Sequence, residues 1–177
     1  PTAMVQKLPV GSYEKVKLSE TRSERLAMLT ILLQKYDHDK DDIGFNVEVT
    51  YDVPQRVHDI LDYAPVAKRA VNREELSEHQ QKLIDEFGAG SKSEKLFPSL
   101  ERHSKVLHHI ALLQFWVSMG VELVDVHSIW QHRQSYWLRD YIIQLGAKRA
   151  ASTDEVIRDV TKHSSVSPYG KTLEDDR

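Results

Sequence analysis

Residues 44–62, GFNVEVTYDVPQRVHDILD, decide the fold. Phe45, Val47, Val49 and Tyr51 alternate with Asn46, Glu48 and Thr50. Successive side chains leave a strand on opposite faces, so an alternation of period two marks a half-buried strand. Pro54 stops it, and a short apolar-periodic turn carrying His58 and Asp59 follows. Such a strand needs a cover. Residues 110–119 offer one, a solidly apolar helix with Leu112, Leu113, Phe115, Trp116 and Met119, ended by Gly120. The expectation is an α+β fold in which Val47 and Val49 are buried against Leu112, Phe115 and Trp116.

The chain has 177 residues, 40% of them hydrophobic, which suits one domain with a buried core. A formal charge of −3 provides no global basic field for a nucleic-acid backbone. Without cysteine the chain has no disulfide framework and no thiolate zinc site. No apolar run approaches the roughly 18 residues of a membrane span, and no secretory leader is visible. The expected setting is intracellular, off the membrane.

Working outward from the strand, residues 24–36 read as a helix with Leu26, Leu29, Leu33 and Tyr36 on one face. An acidic loop, 37–42, leads into the strand. Ser77 and Gln80 form a capping box for a helix that runs to Phe87 and stops at Gly88. Residues 88–93, GAGSKS, read as a flexible connector. A short strand at 106–109 precedes the apolar helix, and another strand covers 123–129. Residues 137–145 read as a helix closed by Gly146. Ser152 and Glu155 suggest a second capping box, for a helix expected to end before Pro168.

Several blocks carry a resemblance. Gly44, Phe45, Glu48, Val49, Pro54, His58 and Asp59 fit the pattern G-[YF]-x-x-E-V-D-x-x-Y-P-x-x-L-H-D. Leu8 to Gly11 looks like the segment preceding that motif. Leu76, Ser77 and Gln80 fit L-S-x-x-Q, and residues 96–100, LFPSL, resemble L-x-P-N-L. Lys105, His109, Leu113, Ser118 and Gly120 fit K-Y-V-V-H-Y-R-N-L-x-L-Y-L-S-L-G without a gap. His127, Gln134, Ser135, Trp137, Leu138, Tyr141 and Ile142 fit H-R-V-L-x-F-x-Q-S-x-W-L-x-x-Y-I. Residues 162–172 resemble K-L-M-N-N-S-x-[YF]-G-K-T. Together these resemble the palm and fingers of the protein-primed family B DNA polymerases, of the kind carried by Polinton/Maverick transposons. The resemblance implies a single domain over 1–177, divided into a palm-like strand region (8–62), an inserted region (63–145) and a fingers-like helix (146–177).

The same resemblance shows what is missing. Template-directed polymerisation holds two metal ions between carboxylates. Thr50 stands where the family has its first metal-binding aspartate, and a neutral hydroxyl does not replace that charge. Asp52 is the fallback ligand, but it lies two residues, about 6–7 Å, further along the strand. In the family the fingers lysine reaches the phosphates of the incoming nucleotide. Lys162 and Tyr169 are its nucleotide-binding remnant, with Val166 in place of an asparagine and Pro168 expected to break the helix at a cost of about 3 kcal/mol. The expectation is a chain with no catalytic residue, no metal and no cofactor.

Other constellations point elsewhere. Asp37, Asp39, Asp41 and Glu48 occupy positions 1, 3, 5 and 12 of a calcium loop, yet Asp42 takes the place of the required glycine. His103, His108, His109, His127 and His132 could converge on zinc, or serve as hydrogen-bonded structural histidines. Trp116, Trp130, Trp137, Tyr136 and Tyr141 could stack on bases, or pack in a core. Arg133, Arg139, Lys148 and Arg149 form the basic cluster available to DNA. Two function classes follow. One is a non-catalytic interaction protein derived from a transposon or viral polymerase, binding a protein partner and, weakly, DNA, with a nuclear location. The other is a fragment of a DNA-directed DNA polymerase acting in replication, inactive as an isolated chain.

Overall fold

Residue periodicity is converted into structure most directly at β2 (Ile43–Asp52), the strand read from the sequence. In this computed structural model residues 2–70, 72–88 and 94–172 are described. The strands are β1 (Leu8–Lys15), β2, β3 (Val66–Arg69), β4 (Lys95–Pro98), β5 (His103–His109) and β6 (Glu122–Ser135). The helices are α1 (Arg22–Lys35), α2 (Glu78–Phe87), α3 (Ile110–Ser118), α4 (Arg139–Ala151) and α5 (Glu155–Thr172). The fold is α+β. Four strands are ordered β1-β6-β2-β5, and β3 pairs with β4 in a separate antiparallel ribbon.

The chain divides into two compact units. The first comprises Pro1–Lys17, Gln34–Asn46 and Ile129–Arg177. Here β1 runs antiparallel to β6, with Leu8 opposite Ser135 and Lys15 opposite Trp130. Register shifts around Gly11 and Ser12, whose φ values of 120° and 57° lie in the left-handed region, break the ladder. Met4, Leu138 and Ile142 form a small core with Val5 and Leu8 against it. Gly44 is required: a Cβ there would overlap Gln134 Oε1 and His132 Nε2. The Lys7 ammonium is buried, donating to Asp41 O at 2.8 Å and to Asp42 Oδ1 at 2.9 Å.

The second unit comprises Leu18–Leu33 and Val47–Ser128. Leu29, Val47, Val49, Tyr51, Ile110, Leu113 and Val126 are fully buried. Arg25 ties α1 to β6 through Asp125 at 2.8 Å, and Gln114 Nε2 on α3 donates to Leu33 O at 2.7 Å. The capping box behaves as read: the Ser77 side chain accepts from Gln80 N–H, and Gly88 closes α2 at φ 64°. Of the connector at 88–93, residues 89–93 lie outside the described residues.

Four expectations need correction. Leu112 and Phe115 are 43% and 45% exposed, and Ile110, Leu113 and Trp116 are the residues that α3 buries. An apolar run without polar gaps does not say which stripe faces inward; only the helical three-residue spacing of the buried set does. Gly146 does not close α4, which continues to Ala151 and ends at Ser152. A lone glycine weakens a helix by about 1 kcal/mol, which is too little to stop one that tertiary packing holds; α4 packs on α5. Asp154, not Ser152, caps α5, its Oδ1 accepting from Val156 N–H at 2.9 Å.

The fourth correction is the most informative. α5 runs through Pro168. Proline lacks the N–H that would reach the carbonyl four residues back, which is that of Ser164. Tyr141 on α4 donates its hydroxyl to that same Ser164 carbonyl at 3.3 Å. A neighbouring side chain thus substitutes for the missing backbone donor. Tyr141→Phe is expected to destabilise the protein by about 1 kcal/mol, and less in a Pro168→Ala background where the helix supplies its own donor. Chemical denaturation of the four proteins of this cycle measures the coupling; strict additivity excludes the substitution role.

Candidate functional site

β2 carries Thr50, and its local structure shows what the hydroxyl does. Thr50 is buried at 4% exposure. Its Oγ1 accepts the Lys105 N–H at 3.2 Å and lies 2.8 Å from His127 Nε2. A hydroxyl has one proton to give and two lone pairs. With one lone pair engaged by Lys105, the remaining proton goes to His127 Nε2 when that imidazole is protonated on Nδ1. The group is then satisfied by neutral protein partners. Nearby, Glu48 Oε2 accepts from Ser128 Oγ at 3.1 Å. Asp52 is partly exposed and lies 3.6 Å from Arg102 Nε. The arrangement can hold a strand in place, since the Thr50 hydroxyl joins β2 to β5 and to β6.

The other buried hydroxyl of the strand is Tyr51. Its Oη shares a 3.0 Å hydrogen bond with His108 Nε2, and His103 stacks on the Tyr51 ring at 5.0 Å with 14° between planes. His103 Nε2 donates to Ser99 O at 3.0 Å, which fixes a proton on that nitrogen. Burial pushes the His108 imidazole down to about 4, with repulsion from His103 adding to it. Burial likewise raises the Tyr51 phenol above its ordinary range. His58 Nε2 donates to Val53 O at 3.0 Å, closing the turn after the strand.

In the first unit, Tyr36 and Gln134 are joined through the phenol at 3.0 Å, and burial pushes the Tyr36 hydroxyl up to about 12. The acidic loop 37–42 closes on itself: Asp37 N–H donates to Asp41 Oδ2 at 2.8 Å and Asp39 N–H to Asp37 Oδ1 at 3.1 Å. Lys40 pairs with Asp37 at 2.6 Å, and its hydrogen bond holds the Asp37 carboxyl below the usual range. Tyr136 donates to Asp39 Oδ1 at 3.1 Å. The carboxylates are thus engaged by protein donors. Among the described residues no group of three or more His, Asp or Glu is arranged to hold a metal ion. His132 is buried against the Tyr13 ring at 5.4 Å.

The basic candidates are placed as follows. Arg139 lies over the Tyr136 ring at 4.7 Å. Arg133 is exposed on β6, and Lys148 and Arg149 are exposed in the last turn of α4, where positive charge also complements the helix C-terminus. Lys162 is exposed on α5; the side chain of Tyr169 lies outside those described. Trp137 and Tyr141 are about half exposed, Trp130 sits beneath Lys15 at 5.8 Å, and Trp116 is buried. Sequence reasoning missed the cations at Lys68 and Arg102, which share a cleft with Lys105. Only Lys105 belongs to a motif block, and nothing in the spacing of the other two ties them to it.

Compared with known proteins, the chain matches no family model, no curated protein and no solved structure.

Two predictions follow from the strand. Thr50→Val, which keeps the shape and removes the hydroxyl, should cost about 1–3 kcal/mol by stranding the Lys105 amide, and Thr50→Ser should cost less. Urea midpoints of the three proteins measure this; equal stability of Val and wild type excludes the bridging role. The second concerns pH. His108 titrates near 4 when folded, below its ordinary value of 6.5, so the unfolded chain binds the extra proton between those values. Stability is therefore full above about 6.5 and declines as pH falls toward about 4, by at most about 3 kcal/mol. His108→Gln should flatten that part of the stability–pH curve; an unchanged slope places the dependence on other groups.

Proposed function

We propose that this chain is a non-catalytic interaction protein built on a palm and fingers segment of a protein-primed family B DNA polymerase, and that it docks a protein partner in the nucleus. One observation carries the non-catalytic half. The buried Thr50 hydroxyl, at the position of the family's first metal-binding aspartate, is engaged by His127 and Lys105. Metal binding there would require breaking those bonds and supplying charge that the residue lacks.

The preference for a protein over DNA rests on surface chemistry. On α5, Val156 and Val160 are 71% and 58% exposed, one helical turn apart on one face. Exposed aliphatic pairs of this kind favour a protein surface. The basic side chains Arg133, Arg139, Lys148 and Arg149 supply any DNA contact, and Arg139 is already stacked on Tyr136. Few phosphate contacts make binding modest and steeply dependent on salt. Among the described residues no helix is long and apolar enough to cross a membrane.

The test has two arms. Magnesium or manganese should shift the melting temperature by less than about 1 °C, because stabilisation tracks binding to the native state, and the purified chain should not extend a primer. Extension that Asp52→Ala abolishes would restore the catalytic reading. In affinity capture from source cells, the partner should survive nuclease treatment and be lost with Val156→Glu/Val160→Glu at unchanged melting temperature. Capture that nuclease or Arg139→Glu/Arg149→Glu removes transfers the function to DNA.

A further inference from the structure

The second unit contains a cleft of about 660 Å³ that the polymerase resemblance does not account for. Its walls are the ribbon β3–β4 on one side and β5, with the turn before it, on the other. Ser104, Lys105, Val106 and Leu107 all line it. Consecutive residues of a strand point to opposite faces, so a cleft lined by four in a row meets the strand along its edge. This agrees with the strand order, in which β5 is outermost.

The lining has two chemistries. Lys68, Arg102 and Lys105 are cationic and exposed, against the single carboxylate of Glu101. Among the described residues neither lysine has an ion-pair partner, and Arg102 is held only loosely by Asp52 at 3.6 Å. Phe97, Val106 and Leu107 supply apolar wall, and Leu107 is 57% exposed. A volume of this size lies within the range of small-molecule sites, about 300–1,000 Å³.

The edge itself discriminates between a compact ligand and an added strand. Lys105 has φ 53°, a left-handed conformation for a residue with a side chain. That irregularity breaks the even spacing of the outward backbone groups, and a lysine beside it further blunts the edge as a template for strand addition. A compact ligand needs neither the spacing nor the length. Two ammonium groups and a guanidinium along one cleft call for an oxyanion, and the apolar wall calls for a hydrophobic body attached to it.

We propose that this cleft binds a small amphiphilic anion, its phosphate or carboxylate head held by Lys68, Arg102 and Lys105 and its apolar body lying against Phe97, Val106 and Leu107. The site adjoins Thr50 through the Lys105 amide but rests on other side chains, so its test reads independently of the proposed function.

The test uses the full chain with phenyl phosphate, 4-phenylbutyrate and benzyl alcohol as probes, followed by amide shifts in two-dimensional NMR spectra. At least one of the two anions should give saturable shifts confined to the cleft residues, and the neutral alcohol should bind at least about tenfold more weakly. Response to the phosphate alone identifies a phosphate monoester as the ligand class, and response to the carboxylate alone identifies a carboxylic acid. Lys68→Ala/Lys105→Ala should weaken binding by about tenfold or more with the spectrum otherwise unchanged. Lys17→Ala/Lys35→Ala, which alters charge at exposed positions elsewhere, should leave affinity as it was. The proposal is overturned if neither anion saturates by about 10 mM, if the alcohol binds equally well, or if both double variants weaken binding alike.

Discussion

A strand covered on both faces must satisfy every polar atom it carries, and β2 carries two hydroxyls in its buried stretch. Val47, Val49 and Tyr51 are at 0% exposure, and Thr50, on the opposite face, is at 4%. Leaving either hydroxyl without a partner would cost on the order of 1–3 kcal/mol, a large part of the stability of a small domain. The surrounding structure is arranged accordingly. His127 on β6 and the backbone of Lys105 on β5 meet Thr50; His108 on β5 meets Tyr51, and His103 stacks upon it. Three histidines that could be taken for metal ligands are thereby placed by the needs of one strand.

The left-handed turn at Lys105 belongs to the same account. A non-glycine residue in that region is strained by about 1–2 kcal/mol, and its amide finds a compensating acceptor in Thr50 Oγ1. One consequence is structural, a distorted edge on β5. The other is chemical, since the distorted residue is a lysine that lines the cleft beside Lys68 and Arg102. Satisfying a buried hydroxyl and exposing a cation are thus two ends of one local geometry.

Local signals in the sequence were legible where the cause of the structure was itself local. The Ser77–Gln80 box and Gly88 set α2 because caps and left-handed closures depend on a few adjacent residues. The alternation in 44–51 marked β2 because period two and burial coincide there. Reading failed where a distant residue intervened. Pro168 breaks an isolated helix, but Tyr141 reaches the freed Ser164 carbonyl. Gly146 ends a marginal helix, but α4 packs on α5 and runs on to Ala151. The inward stripe of α3 was hidden because its residues are apolar almost all round, so periodicity had nothing to contrast. The candidate site divides in the same way. Thr50 stood out only through the family resemblance, and its partners His127 and Lys105 and the cations of the cleft come together only through the sheet and the ribbon.

The surroundings of Thr50 also show why a neutral side chain suits this place in the strand. An aspartate in this place, without metal, would be a carboxylate in a covered site, facing one amide and one imidazole. Such a carboxylate would lose most of its water and gain only those two partners, and charge covered on such terms gains little once its desolvation is counted. Threonine gives the same two contacts with no net charge on either partner, so the strand keeps its hydrogen bonds and loses the desolvation cost. Its β-branched side chain also suits a strand. Threonine at this position is therefore favourable on packing and hydrogen-bonding grounds alone. The hydrogen bonds around Thr50 thus serve the stability of the strand, joining it to a neighbour on either side.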